Sequence, residues 1–129
     1  MKKIAVSIRN RVFAEGILMI LGQTGDFRPV RIPDQKPEAI VLECRSIKPE
    51  ILLMDVTPAS PETTLASRLQ MIDALRQELP GCKMALLCDE TAYPELAREV
   101  MRVKQTGQID AFFYASVTAE YLAAALDAI

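Results

Sequence analysis

Short, nearly unbroken apolar runs alternate along this chain with longer stretches in which apolar residues recur every three or four positions. The runs are Lys3–Ile8, Glu50–Val56, Lys83–Cys88 and Ile109–Tyr114. Continuous hydrophobicity over so few residues marks strands covered on both faces, as in a parallel sheet. A weaker run, Asp26–Ile32, carries Arg28, Pro29 and Arg31. Proline cannot donate to a ladder, so this strand is expected at a sheet edge.

Between the runs lie helical patterns. Asn10–Thr24 places Val12, Phe13, Gly16, Ile17, Ile20 and Leu21 on one face, with Gly25 as the stop. Lys36–Ile47 repeats the pattern through Ile40, Val41, Cys44 and Ile47, and Pro37 suits a first helical position. Ser60-Pro61-Glu62 predicts a helix start, combining a hydroxyl cap, a first-position proline and an acid in the first turn. Leu65, Leu69, Ile72, Leu75 and Leu79 then mark its buried side until Pro80-Gly81 ends it. A fourth helix, Pro94–Gln105, buries Leu96, Val100 and Val103 and is closed by Gly107. Thr118 caps the last, which buries Leu122, Ala125, Leu126 and Ile129.

Five β-α units without a linker predict one domain spanning residues 1–129. Right-handed crossovers lay the helices on both faces of a parallel sheet. The expected architecture is an α/β, flavodoxin-like (βα)5 three-layer sandwich with strand order 2-1-3-4-5. The weak second run at an edge agrees with that order.

Composition narrows the chemistry. Half of the 129 residues are apolar and a quarter are charged, with a net charge of −2 and no basic run. Direct nucleic-acid binding therefore lacks its electrostatic footprint, and the absence of Trp leaves little for base stacking. There is no histidine, which removes imidazole metal sites, Ser-His-Asp triads and Cys-His pairs together. Cys44, Cys82 and Cys88 form no C-x-x-C pair and are read as reduced thiols. The first apolar run is broken at Arg9 and Arg11, and no stretch approaches the roughly 18 apolar residues that span a bilayer. A cytoplasmic protein with no membrane partner is expected. No P-loop is present, and no acid–base pair argues for an enzyme.

In such a sheet, ligands bind beyond the carboxyl ends of the strands, near the reversal of strand order. The residues there are Ile8-Arg9-Asn10, Asp55, Cys88-Asp89 and Tyr114-Ala115-Ser116. Asp55 follows four apolar residues in a central strand. Burying such a carboxylate unpaired costs several kcal/mol, roughly, so it belongs at the rim or in a pair.

Over its whole length the chain resembles the receiver domains of two-component response regulators, the chemotaxis-type phosphoacceptor fold. Ile51-Leu52-Leu53-Met54-Asp55 with Pro58 carries the resemblance, together with Gly107-Gln108-Ile109-Asp110-Ala111-Phe112-Phe113. Glu15-Gly16-Ile17 also looks like the Glu-Gly-Leu of the branch with helix-turn-helix output domains. The resemblance implies a histidine kinase as partner, Asp55 as the phosphoacceptor position and Phe112 as the switch aromatic. It also implies a magnesium ion held by an acidic pair, and a Ser/Thr and a Lys that contact the phosphoryl group.

The helpers are replaced. The acidic pair falls on Ile8 and Arg9, the Ser/Thr on Cys88 and the Lys on Ala115, and Thr57-Pro58-Ala59-Ser60 lacks the usual glycine. Neither Ile8 nor Arg9 offers an oxygen to a hard dication, so magnesium binding is expected to be lost or weak and no cofactor is assigned. Phosphoryl transfer rests on positioning and charge neutralisation. The expectation is a degenerate receiver that acts through protein contacts, with Asp55 an inefficient or vestigial phosphoacceptor. The alternative is a phosphorylation-independent scaffold or dimerisation module.

Two arrangements of the site are open. In one, the Arg9 guanidinium takes the metal's place and pairs with Asp55. In the other, Arg9 faces solvent and Asp55 caps a backbone group. The face of the fourth helix, fifth strand and fifth helix, where Arg98, Arg102, Lys104, Asp110, Glu120 and Asp127 supply mixed charge, is open to two readings, a homodimer contact or a solvated surface. Cys88, beside Asp89 and Glu90, is read as a quiet small residue because both carboxylates raise its pKa.

Overall fold

Each apolar run becomes a strand and each periodic stretch a helix. The computed structural model describes residues 1–33 and 35–129. The strands are β1 (Lys2–Ser7), β2 (Phe27–Arg31), β3 (Ile51–Asp55), β4 (Lys83–Cys88) and β5 (Ala111–Tyr114). The helices are α1 (Arg11–Gln23), α2 (Pro37–Ile47), α3 (Leu65–Glu78), α4 (Pro94–Thr106) and α5 (Ala119–Ala128). All neighbouring strands pair in parallel, in the order β2-β1-β3-β4-β5. This is the flavodoxin-like α/β sandwich expected from the pattern, with proline-bearing β2 at an edge.

Alternation along the central strands builds two apolar layers. Ile4 and Val6 of β1 and Ile51 and Leu53 of β3 pack with Ile17 and Leu21 of α1 and Leu122 and Leu126 of α5. Ala5, Leu52 and Met54 face the other way, against Ile40 of α2, Ile72 and Leu75 of α3 and Val100 of α4. Strands covered on both sides leave no polar face, which is why the runs are continuous. Among the described residues, no helix is long and apolar enough to cross a membrane.

The helix ends follow their capping chemistry, with one shift. Asn10 and Thr118 accept hydrogen bonds from the backbone N–H groups of Phe13 and Tyr121, and Gly107 closes α4 at φ 84°. The Ser60-Pro61-Glu62 signal starts only a short 3-10 turn, Pro61–Thr63. α3 begins at Leu65, with Thr64 as its cap accepting from the Ser67 N–H at 3.2 Å. The Ser60 hydroxyl is engaged instead with Thr63.

The buried stripe of α1 also differs from the expected one. Ala14, Ile17 and Leu21 are buried, whereas Val12 is 80% exposed and Gly16 stands in open space. Single-sequence periodicity cannot choose between stripes one residue apart when both are apolar; contact with β1 and α5 makes that choice.

Candidate functional site

The parallel sheet sends the ends of β1, β3, β4 and β5 to one rim. There a cleft of about 420 Å³ is lined by Ile8, Arg9, Phe13, Asp55, Leu87, Asp89, Tyr93 and Ala115, among others. Asp55 ends β3 opposite Leu87 of β4, and its side chain is 13% exposed. It therefore stands at the rim, partly sheltered.

Asp55 is paired, and its partner is Arg68 of α3. Arg68 Nη2 donates to Asp55 Oδ1 at 3.0 Å, and Arg68 Nε donates to the Asp55 carbonyl oxygen at 3.0 Å. Nη2 also reaches Gln35 Oε1 at 3.0 Å and the Ser7 carbonyl at 3.4 Å. Gln35 Oε1 accepts in addition from the Ser7 hydroxyl at 3.1 Å. One guanidinium thus ties β1, β3 and the segment before α2 to α3. Burial pushes the Arg68 pKa down and the Asp55 carboxylate pushes it back up. Arg68 Nη1 is buried without a hydrogen-bond partner among the described residues, so the network is not fully satisfied.

Of the two arrangements left open by the sequence, the Arg9–Asp55 side-chain pair does not form, and Asp55 instead accepts from a backbone N–H. Arg9 contributes its backbone N–H, which donates to Asp55 Oδ2 at 3.2 Å, while its guanidinium makes no hydrogen bond or ion pair with a described residue. The strand end aims the Arg9 amide at the carboxylate, whereas α3 delivers Arg68 from beneath. Asp55 therefore has both oxygens engaged.

The other positions divide between the two faces of the sheet. Ile8 and Ala115 line the cleft. Cys88 does not: its side chain belongs to the layer under α2, α3 and α4, and only its carbonyl, which accepts from the Ala115 N–H, ties the loops together. Burial foremost, then Asp89, Glu90 and Asp55, pushes the Cys88 thiol up to about 11, so it is protonated near neutrality. Phe112 packs partly buried against that same layer and meets Tyr114 edge to face at 5.2 Å. On the α4–β5–α5 face, Asp110 pairs with Arg76 at 3.1 Å and Asp127 pairs with Lys2. Arg98, Arg102, Lys104 and Glu120 are exposed there, as are Glu95, Glu99 and Asp127.

At the rim, Ile8 and Arg9 offer no side-chain oxygen to a hard dication, and among the described residues no group of three or more carboxylates, thiols or imidazoles could hold a metal. Sequence reasoning missed Arg68 and Gln35. A signal for Arg68 was present: it lies three residues after Leu65, four before Ile72 and seven before Leu75, on the apolar stripe itself. No comparable signal marks Gln35, which reaches the network from a non-regular segment.

No family model and no curated protein matches the chain. Solved structures do. A LuxR-family DNA-binding response regulator from Staphylococcus aureus superposes with a TM-score of 0.78 at 12% identity, covering 99% of this chain and 98% of that one. The signal receiver domain of the response regulator NarL from Mycobacterium tuberculosis gives 0.71 at 19%, covering 97% and 92%. A pilus assembly protein, CpaE, from Burkholderia thailandensis gives 0.73 at 16%, covering 99% and 97%. The fold is that of response-regulator receiver domains. At these identities the likeness speaks of fold, and activity has to be argued from the site.

Proposed function

We propose that this chain is a receiver-type regulatory module of two-component signalling that acts through protein contacts, with Asp55 a vestigial or inefficient phosphoacceptor. The observation that carries the reading is the Arg68 guanidinium on Asp55, 3.0 Å from Oδ1. A carboxylate accepts a phosphoryl group when one oxygen is free to attack in line and cations gather the developing charge. Here Oδ1 is bound to Arg68 and Oδ2 to the Arg9 amide, while the positions of the metal ligands and the lysine carry Ile8, Arg9 and Ala115. Receivers interact with histidine kinases, so a kinase is the upstream partner this reading supplies. No catalytic step is assigned to the module, and its setting is cytoplasmic.

A second reading, a dimerisation scaffold indifferent to phosphate, is favoured by the α4–β5–α5 face. Met101, Tyr114 and Tyr121 are exposed there around a shallow cavity of about 370 Å³, with basic Arg98 and Arg102 on α4 and acidic Glu120 on α5. A two-fold contact would set Arg98 and Arg102 of α4 against Glu120 of the other copy's α5.

Incubation with a small-molecule phosphoryl donor and magnesium, followed by intact mass measurement, tests the first reading. The expected result is no adduct or a trace one at Asp55. Near-complete single phosphorylation that Asp55→Asn abolishes would overturn it. Sedimentation of the protein and of Tyr114→Ser tests the scaffold, which requires a dimer that the substitution dissociates.

A further inference from the structure

We infer that the free edge of β5 takes up, as a sixth strand, an extended segment of a partner protein in which apolar and acidic residues alternate. This partner belongs to a module acting through protein contacts, the reading on which the inference rests. β5 has one neighbour, β4, and its other edge is bare. Consecutive strand residues point to opposite faces, yet one cavity of about 370 Å³ is lined by Phe112, Phe113 and Tyr114 together with Met101 of α4 and Tyr121 of α5. Only a cavity running along the edge itself meets both faces and both helices. The two edges of the sheet are also unlike. β2 carries Arg28, Pro29 and Arg31, residues that blunt an edge, whereas Ala111-Phe112-Phe113-Tyr114 has neither proline nor charge.

The register shows which backbone groups face outward there. The Lys83 N–H goes to the Glu50 carbonyl and the Leu87 carbonyl takes the Val56 N–H, so odd-numbered residues of β4 serve β3 and even-numbered ones serve β5. Leu86 stands opposite Phe112 and therefore bonds Ala111 and Phe113 on either side of it. The Ala115 N–H on the Cys88 carbonyl, at 3.0 Å, continues the set. Phe112 and Tyr114 consequently turn their N–H and C=O groups away from the sheet. The Tyr114 carbonyl accepts from the Val117 N–H at 3.1 Å. Among the described residues this leaves the Phe112 N–H, the Phe112 carbonyl and the Tyr114 N–H for an added strand.

The walls select its side chains, which alternate between the α4 side and the α5 side. On α4, Arg98 and Lys104 lie one turn before and one turn after cavity-lining Met101, about 60° to either side of it, while Glu95 and Glu99 fall more than about 100° away. Both cations are exposed, and neither has an ion-pair partner among the described residues. On α5, Tyr121 is followed on the same side by Ala124 and Ala125, without charge. Acidic side chains therefore match the α4 wall and apolar ones the α5 wall.

The test is titration of the intact chain with an end-capped peptide of alternating glutamate and valine, read by backbone amide spectra and hydrogen exchange. In the free protein the Phe112 and Tyr114 amides should exchange fast and the Phe113 amide slowly. Saturable binding is expected to slow exchange at Phe112 and Tyr114. A copy of the peptide methylated on every backbone nitrogen should lose binding, and one of alternating lysine and valine should bind about tenfold more weakly or worse. The double variant Arg98→Glu/Lys104→Glu should reverse the preference between the two charged peptides. Arg28→Glu, on the opposite edge, should leave it unchanged.

Absence of saturable binding, in a protein whose spectrum shows it folded, overturns the inference. So does binding that leaves Phe112 and Tyr114 exchanging as before, or equal binding of the methylated peptide. Protection of those two amides that rises with protein concentration alone assigns the edge to a second copy and overturns it too. The phosphoryl-donor experiment separates the two failures: a chain that takes no phosphate and binds no peptide overturns this inference alone, while stoichiometric phosphorylation overturns the reading beneath it whatever the peptides do.

Discussion

Arg68 Nη2 lies 3.0 Å from Asp55 Oδ1, and Nε of the same guanidinium lies 3.0 Å from the Asp55 carbonyl oxygen. The Arg68 side chain is 1% exposed and that of Asp55 13%. The two ends of the pair are therefore unequal. Removing the carboxylate strands a buried cation, whereas removing the guanidinium leaves a carboxylate that water can reach.

Asp55→Ala is expected to destabilise the fold by about 3–5 kcal/mol, the usual cost of leaving a buried charge without its partner. Arg68→Met should cost less, because its chain fills much of the same space and Asp55 can hydrate. The double variant should recover much of the loss of Asp55→Ala. Urea unfolding of the four proteins measures this cycle, and additive losses would show that the two side chains are not coupled.

The buried thiols set an alkaline limit. Burial, the leading cause in each case, pushes Cys44 up to about 12 and Cys82 and Cys88 up to about 11, from an ordinary 9.0. Between those values the unfolded chain releases thiol protons that the folded chain keeps. Stability is thus fully present below pH 9.0 and declines as pH rises through the folded values. Denaturant midpoints should fall from pH 8.5 to pH 10.5, roughly, and a Cys44→Ala/Cys82→Ala/Cys88→Ala variant should show a shallower fall over the same interval.

Lys48 ends α2 in the left-handed region, at φ 53°, with its N–H donating to the Cys44 carbonyl at 2.8 Å. A side chain at this position is strained where glycine is not. Lys48→Gly should raise stability by about 0.5–1 kcal/mol, read as a higher melting temperature.

The start of α3 separates two hydroxyl groups. Thr64 caps the helix and Ser60 does not. Thr64→Ala should cost about 1 kcal/mol in denaturant unfolding. Ser60→Ala should cost less, since it removes a hydrogen bond to Thr63 and leaves the cap intact.

Much of the architecture is legible without coordinates. The runs that become β1, β3 and β4 have both faces covered, so their hydrophobicity is continuous, and Pro29 sends β2 to the edge. Thr118 and Gly107 mark helix ends because capping is local chemistry, written within a few residues. Asp55 at the rim follows from the same logic, since a lone carboxylate after an apolar strand has nowhere else to go. The partner of Asp55 is another matter. Arg68 lies 13 residues further on in a different element, and which cation meets the carboxylate depends on how α3 rolls against the sheet. Local pattern left open whether Arg9, near the β1 end, pairs with Asp55 or faces solvent; packing delivered its amide and sent Arg68 up from below. Strands, most helix ends and the acid at the rim were determined by the sequence through short-range sterics and hydrophobic period. The pairing of the acid, the choice of stripe on α1 and the removal of Cys88 from the cleft were decided only when distant elements came into contact.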